Sequence, residues 1–204
     1  MRPALIGKEI LDRVGAALAL LLVLPLLLVA IALTKLTIGS PVFFRQVRPG
    51  LHGKPFEILK LRTMREGPGS DKERLTPVGR LLRSTSLDEV PEFWNVLVGD
   101  MSLVGPRPLL PEYLARYTEE QARRHLVKPG ITGWAQVHGR NRIPWEARLA
   151  MDVFYVDHWS LPLDLWILAK TPLVVLSGHG IAAEGSATMP PFLGATGKGV
   201  HRER

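Results

Sequence analysis

Residues 14–33 (VGAALALLLVLPLLLVAIAL) form an uninterrupted uncharged run in a chain of 204 residues. Twenty residues of helix rise about 30 Å, close to the thickness of a bilayer's hydrocarbon core. Arg13 and Lys35 bracket the run as interfacial anchors. A cleaved signal would carry a shorter apolar core followed by a small-x-small site. Here residues 38–41 (IGSP) lead directly into the next segment, so the run is expected to stay in the chain. Pro25, near its middle, removes one backbone hydrogen bond and predicts a kink. Two topologies follow, a kinked crossing helix or a re-entrant pair of helices. Arg2, Lys8 and Arg13 precede the run, and Lys35, Arg45 and Arg48 follow it. That balance lacks the asymmetry of a crossing segment and is expected when both flanks lie on one face.

Beyond Lys35 the sequence reads as one α-rich α/β domain with short extended pieces. Residues 41–45 and 56–61 are strand-like, separated by the turn-rich stretch 48–53 (RPGLHG). Residues 66–72 (EGPGSDK) read as a polar loop. Thr76 followed by Pro77 predicts a helix start, with the helix running to about Arg83. Further helices are expected from Ser86 to Gly99, from Pro111, over 145–159 and over 163–176. The last is strongly apolar, interrupted by Pro172 and too short to span; it fits either the membrane interface or the core. There are no cysteines, which excludes disulfides and thiolate metal sites. The formal charge of +7 is clustered in 60–65, 80–83, 123–128 and 140–142, a surface that attracts anions or is simply solvated.

The stretch Ser86-Leu-Asp-Glu89 has two readings. One is a capping box, with Ser86 and Glu89 bonding reciprocally to backbone amides and Asp88 favouring the helix dipole. The other is chemical, because Arg80 and Arg83 lie upstream and residues 104–108 (VGPRP) follow, presenting the Arg107 guanidinium on a rigid turn suited to phosphate. Adjacent carboxylates among arginines suit a divalent metal and a pyrophosphate. Residues 128–137 (KPGITGWAQV) read as a loop with an extended piece, followed by polar groups. Asp152 falls on an otherwise apolar helical stripe with Trp145, Leu149 and Val156, so it requires a partner, expected to be an arginine.

Taken in order, residues 46–50 (QVRPG), 60–64 (KLRTM), 83–89 (RSTSLDE), 93–97 (FWNVL), 99–108 (GDMSLVGPRP), 129–137 (PGITGWAQV) and 139–141 (GRN) resemble the bacterial sugar transferases, specifically the small monotopic phosphoglycosyl transferases. The resemblance runs from about Asp12 to Gly194. It implies a re-entrant helix-break-helix over residues 1–36, with amphipathic interfacial helices around a small catalytic core at 37–194. A basic tail follows at 195–204. Asp88 and Glu89 would be the catalytic dyad and would hold Mg2+. Lys60, Arg62, Arg83, Arg107, Gln136 and Arg140 would bind substrate. The implied partners are a UDP-sugar, polyprenyl (undecaprenyl) phosphate, membrane lipid and downstream glycosyltransferases, at the cytoplasmic face of a bacterial inner membrane. Asp88 would displace UMP, and the polyprenyl phosphate would take the sugar phosphate from the resulting aspartyl intermediate. Leu24 stands where the family commonly has Ser before the helix-breaking Pro, and His138 where Asn is common. A metal-dependent phosphodiesterase would use the same carboxylates with water as acceptor. A membrane-anchored basic binding protein is the remaining alternative. No nucleic-acid motif is present, and aromatic residues are not interleaved with the basic clusters.

Overall fold

The computed structural model describes residues 3–139, 143–177 and 191–194. A helix of 35 residues, α1 (Pro3–Thr37), runs continuously through Pro25, so the expected break is not a change of secondary structure. Among the described residues it is the one helix long and apolar enough to cross a membrane, and only 17% of its most apolar window is buried in the protein. Leu21 and Leu22 face outward, while Ala16, Leu27, Ala30 and Thr34 face the rest of the chain.

Both halves of α1 pack against the same globular part. Ala16 joins Ile58, Val96 and Met101. Leu27 and Ala30 join Leu61, Leu82 and Val90. The two contact points are about 21 Å apart along the helix axis. Polar ties reinforce the N-terminal half: Asp12 accepts from the Ser102 hydroxyl at 2.7 Å and the Leu103 amide at 3.2 Å. Lys8 meets Asp164 at 2.6 Å, and Lys128 meets Glu9 at 2.8 Å.

Strands β1 (Phe43–Pro49) and β2 (Pro55–Leu61) form an antiparallel hairpin with Phe44 opposite Lys60. A short α2 (Asp71–Arg74) follows, then α3 (Pro77–Ser84), where the Thr76 side chain accepts from the Gly79 amide as its position before Pro77 predicts. A 3-10 turn (Leu87–Glu89) leads into α4 (Glu92–Val98), which ends on left-handed Gly99. Strand β3 (Ser102–Val104) pairs in parallel with β4 (Gly130–Thr132). Between them lie a 3-10 segment (Pro111–Arg116), α5 (Glu119–Ala122) and a 3-10 turn (Arg123–Leu126). The chain continues through α6 (Trp134–His138), α7 (Trp145–His158) and α8 (Leu161–Leu176). Helix α8 divides between its two expected roles: Asp164 and Ile167 are buried, and Leu165, Trp166, Leu173 and Leu176 face outward.

Candidate active site

The dyad sits on an unusual stretch of backbone. Ser86 is left-handed (φ 57°) and its side chain makes no cap bond, so the capping box is absent. A non-glycine residue there is uncommon, and such conformations persist where the surroundings enforce them. Glu89, instead of reaching back to an amide, is gripped by cations. Arg107 engages both of its oxygens, one of them at 3.2 Å, and Lys60 lies 2.7 Å away. Burial opposes ionisation of Glu89, yet Arg107 and Lys60 outweigh it and hold its pKa well below the ordinary carboxylate range. Glu89 also lifts the Arg107 pKa over the cost of burial.

Asp88 differs. Its carboxylate takes no hydrogen bond among the described residues. Burial, helped by the neighbouring Glu89 charge, raises its pKa to about 6 against the pull of Lys60, Arg83 and Arg107. Asp88 is thus a partly desolvated carboxylate with no hydrogen-bond partner among those residues, lying in the field of three cationic side chains, Lys60, Arg83 and Arg107.

A third carboxylate completes the cluster. Glu92, 1% exposed, lies 2.9 Å from Lys60 Nζ. That is an ion-pair distance, but the Glu92 Oε1 lacks hydrogen-bond geometry. Burial raises the Glu92 pKa to about 7 despite Lys60. For Lys60 burial disfavours the charge, but Glu89 and Glu92 overcome it and its pKa is raised. Arg48 belongs to the same field: burial and Arg107 depress its pKa to about 10. Glu92 and Arg48 were not among the residues the sequence singles out for the site. Their only sequence signal is position, Glu92 three residues past Glu89 and Arg48 inside the 46–50 stretch.

Arg107 is held from behind. Its carbonyl accepts from Arg124 at 2.6 Å, and Arg124 pairs with Asp152 at 2.8 and 3.0 Å, both side chains buried. Asp152 is thus a structural partner of an arginine, as its place on an apolar stripe requires. The turn after β3 packs on the start of β4 at backbone distance: a Cβ on Gly130 would lie 2.1 Å from the Gly105 nitrogen.

The other expected substrate residues divide. Arg83 stays within electrostatic reach of Asp88 and donates to the Thr63 hydroxyl at 3.0 Å. Arg62 is committed elsewhere, to the Ile38 carbonyl at 3.0 Å and Glu66 at 2.9 Å. Gln136 donates to the Ile131 carbonyl at 2.9 Å while its own buried oxygen accepts nothing. Arg140 and the tail 195–204 lie outside the described residues. His138 bonds to the Trp134 carbonyl at 2.8 Å and stacks on Trp166.

The model of the bacterial sugar transferase family matches residues 3–178, a span that includes α1, the dyad and the Arg107 turn. The chain belongs to the bacterial sugar transferase family. It is 53% identical over 197 residues to the uncharacterized sugar transferase EpsL of Bacillus subtilis (strain 168), covering 94% of this chain and 98% of that one. A UDP-glucose:undecaprenyl-phosphate glucose-1-phosphate transferase of Caulobacter vibrioides is 45% identical over 180 residues, 80% of this chain and 67% of that protein. The exopolysaccharide production protein ExoY of Rhizobium meliloti (strain 1021) is 38% identical over 195 residues, 84% of this chain and 86% of that one. In this transferase the long apolar α1 indicates membrane association.

Among the described residues no three acidic or histidine side chains converge as a ready-made metal cage. Magnesium does not require one, since it commonly takes one or two carboxylates and fills its remaining positions with water and substrate phosphate. Adjacent Asp88 and Glu89, with Asp88 unengaged, fit that donor set.

Proposed function

We propose that this transferase moves a sugar 1-phosphate from a UDP-sugar to undecaprenyl phosphate, releasing UMP. The relatives named for that reaction with UDP-glucose supply the substrate classes. The unequal dyad carries the mechanism: Glu89 is immobilised by two cations, and Asp88 is left without a partner. An Asp88 oxygen attacks the β-phosphorus of the donor. The bond from that phosphorus to the bridging oxygen breaks, and UMP leaves with the bond's electrons. An oxygen of undecaprenyl phosphate then attacks the same phosphorus, and the aspartyl–phosphate bond breaks to regenerate the carboxylate. Splitting the transfer in this way predicts ping-pong kinetics.

Arg107, released from Glu89, would take a donor phosphate as a bidentate fork, with Arg83 and Lys60 adding positive charge. Magnesium held by Asp88 and Glu89 would offset the charge of the diphosphate. The proposed acceptor is a membrane lipid, and downstream glycosyltransferases would consume the product. The polar site and the domain that carries it would face the cytoplasm, where nucleotide sugars are found, from the inner membrane. Helix α1 would enter and leave by that same face. Its contacts at both Ala16 and Ala30 with one globular part support this, since a helix crossing the bilayer would keep one end only against such a domain.

The decisive experiment incubates the purified protein with a panel of UDP-sugars and undecaprenyl phosphate and measures UMP. Donor alone should load one sugar phosphate onto Asp88, visible by peptide mass spectrometry, and Asp88→Asn should abolish both loading and UMP. Near-normal turnover in Asp88→Asn would sink the nucleophile assignment. Free sugar phosphate as the product would favour a phosphodiesterase.

A further inference from the structure

Glu92 is the one carboxylate of the cluster that the two-step chemistry does not use. It is nonetheless more deeply buried than either member of the dyad. Burying an acid beside another acid is costly unless a cation answers it, and Lys60 does so at 2.9 Å. The same ammonium lies 2.7 Å from Glu89, so one lysine bridges two carboxylates that approach it from different elements.

Helix α4 is fixed to β2 in a way that aims Glu92. One turn along, Asn95 accepts from the Leu59 amide at 3.0 Å and donates to the Glu57 carbonyl at 2.7 Å. Residues three apart share a helix face, so the clamp that seats Asn95 on the strand backbone also directs Glu92 to Lys60.

This arrangement matters because Arg107 has two claims on it. It grips Glu89 in the free protein, and in the transferase reading, on which this inference rests, it turns to a substrate phosphate. As the grip opens, Lys60 is, among the described residues, the one side-chain cation still on Glu89. A lysine with no second anchor would follow Glu89 wherever it moved.

We propose that Glu92 is a positioning residue that anchors Lys60 from the protein interior. Lys60 can then keep orienting Glu89 and balancing charge beside Asp88 while Arg107 engages the substrate. On this proposal the anchor is the oxygen held 2.9 Å from the ammonium, a contact without hydrogen-bond geometry in the free protein, and not a full charge. A carboxamide of the same length provides such an oxygen. A thioether does not, and a carboxylate one methylene shorter does not reach.

The test is steady-state UMP release by the full chain with a UDP-sugar and undecaprenyl phosphate. Glu92→Met and Glu92→Asp should lower kcat by about tenfold or more, with KM for the donor within about threefold of wild type. Glu92→Gln should restore kcat to within about threefold of wild type. The double variant Lys60→Met/Glu92→Met should be no slower than Lys60→Met alone, because Glu92 acts through the lysine. Wild-type kcat in Glu92→Met, failure of Gln to rescue, or losses that multiply in the double variant would each overturn the proposal. Should Glu92→Met not fold, Glu92→Asp carries the kcat test. Absence of UMP release by the wild-type protein from every UDP-sugar would overturn the transferase reading instead. Thermal melting then tests the pairing: midpoint shifts of Lys60→Met and Glu92→Met that simply add would overturn it.

Discussion

Arg107 and Glu89 neutralise one another before any substrate arrives, so a substitution at Arg107 has two effects to separate. It takes away the hydrogen-bond donor proposed for the substrate phosphate, and it leaves Lys60, among the described residues, as the one side-chain cation on Glu89. Lysine at 107 keeps the charge but loses the planar fork. Arg107→Lys should therefore lower kcat/KM for the UDP-sugar by an order of magnitude or more, since one charge-assisted hydrogen bond is worth roughly 1.5–3 kcal/mol. Unchanged kinetics in Arg107→Ala would remove it from the site. His125, near the same turn, makes a prediction about stability. Burial, with Arg124 adding to it, depresses the His125 pKa from 6.5 to about 4, against its bond to the Gly50 carbonyl. Between those values the unfolded chain takes up a proton that the folded chain refuses, so this residue's contribution falls as pH drops from 6.5 towards 4. Asp88 and Glu92, both raised, act with the opposite sign and mask the trend in the wild type. The difference between proteins exposes it: relative to wild type, His125→Gln should gain on the order of 2 kcal/mol between pH 7 and pH 4.5, read by denaturant unfolding. A constant difference across that range would mean His125 titrates normally.

At the scale of elements, the close packing of β3 on β4 gives the clearest expectation. A Cβ on Gly130 would stand 2.1 Å from the Gly105 nitrogen and 2.4 Å from the Thr132 carbonyl oxygen, both backbone atoms that cannot rotate away. Gly130→Ala should cost about 3 kcal/mol or more by unfolding and should impair activity, because the displaced strand carries the Arg107 turn. An Ala variant as stable as wild type would show that the two strands have slack. The same elements show what the sequence could and could not reveal. The start of α3 was legible because Thr76, Pro77 and Gly79 act within one turn. Helix α7 was legible from its stripe, and Asp152 on that stripe announced a buried partner without saying which arginine. Ser86 misled for a physical reason: the S-L-D-E spacing is a capping box only if the serine backbone is extended, and here it is left-handed. Glu92 was invisible because its role depends on which face of α4 the Asn95 clamp turns to β2, a tertiary fact. Arg62 and Lys60, two residues apart, looked equivalent, and only the contacts separate them.

For the whole molecule, the question is how α1 sits in the bilayer relative to the site. Helix α1 is continuous through Pro25, so what argues for a one-sided topology is contact rather than a visible break. Lys8, Glu9 and Asp12 are tied to Asp164, Lys128 and Ser102, while Leu27 and Ala30 lie in the cluster that includes Leu82 and Val90. Several of the outward residues between these anchor points, Leu18, Leu21 and Leu22 among them, present bare leucine to the surroundings, as a segment dipping into lipid would. The outward Leu165, Trp166, Leu173 and Leu176 of α8 add a second apolar surface suited to the interface. A crossing helix would have to tear either set of α1 contacts away, and would also place Arg2, Lys8 and Arg13 outside, against the positive-inside tendency. Because the chain has no cysteine, one introduced at residue 4 reports without background. In intact cells a membrane-impermeant thiol reagent should leave it unlabelled, and labelling should appear once the cells are opened. A second cysteine at the exposed Glu66, in the globular part, should behave identically. Labelling of residue 4 in intact cells with residue 66 still protected would mean that α1 crosses, and the packing of its two halves on one domain would then have to be abandoned for the protein in its membrane.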